Sequence, residues 1–125
     1  MSDNNQLKLV AYMFVFYDEH PRINSDGKPI VTQAEGEVWY RILDGDTQRH
    51  FIQQFHKGSS IPAKDDIGNI WEWDGNKKNP TIRPSFLIRD YHFHCYVTNG
   101  KIDILPDSKV INNSVRMDWD EFFGE

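Results

Sequence analysis

Cysteine is almost missing from the 125 residues: Cys95 stands alone, so neither an intrachain disulfide nor a thiolate zinc cage can form. A reducing, cytoplasmic compartment fits that usage. No apolar run approaches the ~20 residues of a membrane span. The best, "LKLVAYMFVFY" from Leu7, follows an acidic rather than a basic stretch, so it reads neither as a signal peptide nor as an anchor. Basic runs are missing too: 14 Lys and Arg are outnumbered by 19 Asp and Glu, for a formal charge of −5. That balance argues against an electrostatic nucleic-acid binder, which would show a basic stripe. There is no glycine-rich phosphate loop and no Gly-x-Ser-x-Gly elbow, which removes the commonest nucleotide and hydrolase signatures. No helix-length periodic segment separates the strand-like ones, which excludes a parallel βαβ layout.

What remains is enough to fold as one domain over residues 1–125: 38% apolar and 14% aromatic residues can support a core. Leu7 to Tyr17 is apolar on both alternating faces, as a central strand covered on two sides would be. "DEHPRINSDGKP" carries His20-Pro21, Asp26-Gly27 and Lys28-Pro29 and predicts a long exposed loop. "GEVWYRIL" and "QRHFIQQFH" flank an Asp-Gly turn and predict a hairpin. "KGSSIPAKDDIGN" reads as loop. A second hairpin is predicted around Asn99-Gly100, because both residues tolerate the positive φ of a type I′ turn. A further strand over Val110 to Met117 and a C-terminal segment that forms either a short helix capped by Asp118 or a tail complete the pattern. The expectation is a mainly β fold, a small antiparallel sandwich or half-barrel of about six or seven strands.

The densest stretch is "IWEWDGNKKNPTIRPSF", Ile70 to Phe86. On a strand, Trp71 and Trp73 share one face and Glu72 and Asp74 the other. The tryptophans either fill the core or, with Tyr91, Arg83, Arg89 and the lysines at 77, 78 and 101, form a stacking surface for a single nucleic-acid strand. Pro80 and Pro84 hold the residues before them extended. They also put the segment at a sheet edge or in a corner, since proline cannot donate to a ladder. Trp71, Trp73, Asp74, Arg83 and Tyr91 are the candidate binding residues.

His92 and His94, two apart, would project from one strand face and could chelate zinc with a third ligand such as Asp107, Asp90, His50 or His56. Glu72 or Asp74 would then serve as base. A solvated polar face explains the same alternation without a metal. Cys95 falls on the opposite, apolar face, where a thiol is buried and inert.

"WEWDG" (Trp71 to Gly75), "PTIRPS" (Pro80 to Ser85) and "HCYVTNGKIDILPD" (His94 to Asp107) resemble the motifs of a small domain family of unknown function. That family is met in phages and prophages and beside bacterial ubiquitin-like conjugation genes. The resemblance runs from Trp71 to about Met117, and the part before Trp71 aligns poorly. His94 and Asp107 match, but Phe93 stands in place of a family cysteine, and Ser108 and Val110 replace a cysteine and a histidine. If the family's Cys and His residues bind a metal, most of that site is gone here, and no cofactor is expected. The resemblance implies a phage or mobile-element accessory protein acting in the host cytoplasm. The expected function is a non-enzymatic binding module for a host or virion protein, in one version an inhibitor of a host defence. A metal-dependent enzyme built on His92 and His94 and a single-strand nucleic-acid binder are the alternatives.

Overall fold

A computed structural model describes residues 6–30, 34–57, 64–65 and 68–124. In chain order the elements are β1 (Leu7–Phe16), β2 (Gly36–Asp44), β3 (Thr47–Lys57), β4 (Lys64–Asp65), β5 (Gly68–Asn69), β6 (Trp71–Trp73), β7 (Ile82–Ile88), β8 (Phe93–Thr98), β9 (Lys101–Ile104), β10 (Val110–Arg116) and α1 (Trp119–Phe123). Eight strands form one sheet in the order β10-β1-β2-β3-β6-β7-β8-β9, while β4 and β5 pair with each other. β4 and β5 fall within the stretch expected to be loop; residues 58–63 and 66–67 of it lie outside the described residues.

The sheet curls until its ends nearly meet. No ladder joins β9 to β10, but the Asn112 side-chain amide donates to the Ile102 carbonyl at 3.1 Å across the seam. The Tyr12 hydroxyl reaches Gly100 O at 2.9 Å. The result is a nearly closed barrel rather than a sandwich, with eight strands rather than six or seven. Five neighbouring pairs are antiparallel; β1–β10 and β3–β6 are parallel.

The strand that exceeds the expected count is β7. Its prolines were expected to place it at an edge or a corner, yet it lies inside the sheet between β6 and β8. The register against β8 jumps between Ile82 and Phe86, and the Arg83–Pro84 peptide is cis. Pro84 therefore sits where the ladder is already interrupted, and its missing N–H breaks no run of bonds.

The barrel interior is filled by residues from every strand of the eight-stranded sheet: Leu9, Tyr12 and Phe16, then Val38, Tyr40 and Ile42, Phe55, Trp73, Ile82, Phe86, Phe93, Cys95, Val97, Ile102 and Val110. β1 obeys strict alternation only on either side of an irregularity between Leu9 and Ala11. The bulge shifts the pleat, so Leu9 and Tyr12, three apart, both point inward. The other face of β1 presents Ala11, Met13 and Val15, and Phe122 of α1 covers them. β1 is thus covered on both faces, as its composition predicts. Asp118 caps α1 with a reciprocal Glu121 capping box. At the first residue of β2, a Cβ on Gly36 would stand 2.4 Å from the Phe55 ring, so only glycine lets that ring close the barrel there. The Asn99-Gly100 hairpin forms with φ of 52° and 81°, the type I′ requirement.

Candidate functional site

The two tryptophans of "WEWDG" serve the core. Trp73 is 6% exposed and packs on Phe16 and Phe55, with ring centroids 5.4 and 5.0 Å away. Trp71 is half-buried, edge-on to Phe86, and its indole N–H donates to Ser85 O at 3.1 Å. Asp74 organises the turn that follows: its Oδ1 accepts from the Asn76 and Thr81 N–H groups at 3.0 and 3.3 Å. Arg83 donates to Val97 O and Thr98 Oγ1, both at 2.9 Å, and lies 4.6 Å over the Tyr96 ring. Tyr91 gives its hydroxyl proton to Asp44 at 2.9 Å and packs edge-on against Phe51. Each of the five candidate binding residues is engaged in holding the barrel.

His92 does not share a face with His94. β8 begins at Phe93, and His92 precedes it in a turn with φ of 52°, so period-two alternation does not extend back to it. The expected His92–His94–Asp107 metal site is therefore not assembled. Among the described residues, no three His, Cys, Asp or Glu side chains stand together as metal ligands.

His94 and Asp107 do meet, with a partner that sequence reasoning missed. His94 Nδ1 lies 3.0 and 3.1 Å from the two Asp107 carboxylate oxygens, and His94 Nε2 lies 2.9 Å from Ser85 Oγ. β7 carries the serine and β8 the histidine, while the turn from β9 to β10 carries the aspartate. That turn is tied to β8 by Leu105 N–H to His94 O at 2.9 Å and to the turn before β8 by Lys109 N–H to His92 O at 2.8 Å. Cys95, the next residue along β8, faces inward; burial pushes its thiol up to about 12, which leaves it inert as expected.

A concavity lies elsewhere, where β1 leaves the barrel beneath α1. A cavity of about 560 Å³ is lined by Phe14, Phe16, Glu19, His20, Arg116, Met117, Asp118, Trp119 and Asp120. The volume suits a small ligand or one or two side chains of a partner. The His20 and Trp119 rings stack at 4.1 Å, only 7° from parallel, and form one wall. Arg116 is already committed: it lies 4.6 Å over Phe14 and donates to Lys78 O at 2.7 Å. Glu19 shares the Lys77 ammonium with Asp18. The Asp120 carbonyl accepts from the Gly124 N–H at 2.7 Å, while among the described residues its carboxylate makes no hydrogen bond or ion pair. The only hint in the sequence was the acidic, aromatic tail "DWDEFFGE". Nothing linear connects it to Phe14 or His20, about 100 residues earlier.

Behind this wall the loop after β1 is anchored by a buried carboxylate. Glu37 is 4% exposed. It accepts from the Tyr17 hydroxyl at 2.6 Å, from Trp39 Nε1 at 2.7 Å and from the Arg22 guanidinium. Burial and the Glu37 carboxylate together hold the Tyr17 phenol well above its usual range.

No protein-family model, curated protein or solved structure matches the chain. Among the described residues no helix is long and apolar enough to cross a membrane.

Proposed function

We propose that the chain is a protein-binding module that seats a basic side chain of its partner in the groove between β1 and α1. The observation that supports this reading is the composition of the groove: a stacked aromatic wall, three lining carboxylates, and a single lining cation, Arg116, already turned onto the Phe14 ring and the Lys78 carbonyl. A lysine or arginine entering there would lie against Trp119 or Phe16 and meet Asp120, combining cation–π attraction with charge neutralisation. Trp and Phe are the residue types that anchor protein interfaces. The acidic balance of the whole chain, −5, would steer a basic partner toward it. An accessory protein of a phage or mobile element, binding a host or virion protein, would work in this way.

The test is a titration of intrinsic tryptophan fluorescence with an arginine-rich oligopeptide and with an acidic one of equal length. The basic peptide should perturb Trp119 with saturation, and Trp119→Ala should weaken its binding at least about tenfold, as for an interface anchor. Equal responses to both peptides would overturn the reading.

A further inference from the structure

We infer that Ser85, His94 and Asp107 form an acyl-transfer site, with Ser85 as nucleophile toward carboxylic esters, separate from the proposed binding groove. A carboxylate can only accept, so in the neutral imidazole the ring proton belongs on Nδ1, 3.0 Å from Asp107 Oδ2. That tautomer leaves Nε2, 2.9 Å from Ser85 Oγ, to accept from the hydroxyl. That is the geometry in which a general base activates a serine, and a carboxylate holds the base in the productive tautomer.

All three members are braced. The Trp71 indole pins the Ser85 carbonyl at 3.1 Å. Ser108 Oγ accepts from the His94 backbone N–H at 3.3 Å, and the turn bearing Asp107 is bonded to His94 of β8 at one end and to His92 just before β8 at the other. The His94 and Asp107 side chains are 23% and 55% exposed, so the site opens to solvent. A substrate would therefore present an accessible ester rather than be engulfed.

In the reaction, Ser85 Oγ bonds to the ester carbonyl carbon while its proton passes to His94 Nε2. The tetrahedral adduct collapses, the carbon–alkoxide bond breaks, and the alkoxide leaves with the proton from Nε2. Water, deprotonated by the same nitrogen, attacks the acyl-serine, releases the carboxylic acid and restores the Ser85 hydroxyl. Ester plus water gives acid plus alcohol, with no other reactant.

The experiment is labelling of the intact protein by a fluorophosphonate, read by mass spectrometry. The phosphorus–oxygen bond forms at Ser85 as fluoride leaves. One adduct per chain, mapped to Ser85, is expected, with none on Ser85→Ala. His94→Gln should slow labelling at least about 100-fold, the range of general-base assistance, and Asp107→Asn should slow it as well. Each variant's near-ultraviolet dichroism is checked against the parent.

A second measurement guards against a variant that fails to fold. Ser85→Cys should be alkylated by iodoacetamide at pH 6 far faster than a free thiol, because His94 would take its proton, while Cys95 stays buried and silent. Labelling of folded parent protein at no more than the Ser85→Ala level, with Ser85→Cys alkylated no faster than a free thiol, would overturn the inference. In that case the three groups are a structural clasp between β7, β8 and the β9–β10 turn.

Discussion

Two regions that carry tryptophan have opposite fates. Trp71 and Trp73 dominate the sequence visually but turn inward: Trp73 is 6% exposed and wedged between Phe16 and Phe55. Trp119, in the C-terminal tail, is 38% exposed and stacks on His20 in the wall of the groove beneath α1. The difference comes from the surface each can reach. A tryptophan on a strand inside a curled sheet has the whole interior to fill, whereas one that opens a five-residue helix lies beyond the barrel. Prominence in a sequence therefore marks what packs, and the exposed groove gathers from what packing leaves over.

The sharpest way to break this contrast is to truncate both. Trp73→Ala should cost about 3–5 kcal/mol, because it leaves a cavity under two aromatic neighbours, read as a shift in the urea midpoint. Trp119→Ala should cost about 1 kcal/mol or less while removing the basic-peptide response. If the two changes cost the same stability, the division into packing and binding tryptophans fails.

A smaller effect tests the loop that carries His20. Glu37→Ala strands the Tyr17 hydroxyl, the Trp39 N–H and Arg22 in a partly buried pocket, at a cost of about 2–3 kcal/mol. Loss of the His20–Trp119 stack should accompany it and would appear as changed near-ultraviolet dichroism. Arg22→Ala, at the exposed end of the same cluster, should cost less.

The smallest expected effect is one of pH. Burial, and then the Arg41 guanidinium, lower the His50 pKa below its ordinary value of 6.5, and the ring packs against Trp39 and Phe122 behind α1. A depressed folded-state value means that the unfolded chain binds the proton more readily. Stability is then full above about pH 6.5 and declines as pH falls through the folded pKa. His50→Gln should flatten that slope in melts between pH 7 and 5, and an unchanged slope would remove His50 as its source.

Much of the fold was legible because its signals are local. The Asn99-Gly100 turn needs only two residues that tolerate positive φ, and both adopt it. Asp118 and Glu121 make their capping box within one turn. The two-sided apolar pattern of β1 correctly marks a strand covered on both faces. His92 shows how a local rule fails: a residue just before a strand does not inherit its alternation. Pro84 shows another failure, since the rule against interior proline holds only where the ladder is continuous. The groove and the Ser85–His94–Asp107 chain were illegible for a different reason, because their parts come from segments that only strand pairing brings together.

By itself, then, the sequence determined most of the strands, though not β4, β5 or β7. It also determined where two turns and one helix cap fall, and that Cys95 is a core thiol. Those choices rest on φ preference, period-two patterning and side-chain size, which act over a few residues. The tertiary structure alone decided that eight strands curl into a nearly closed barrel and that β1 and β10 run parallel. It also decided that Ser85 meets His94, and that the tail lies over β1 to form the groove. Those outcomes depend on register between distant strands and on which apolar faces find each other, and no short window of residues encodes either.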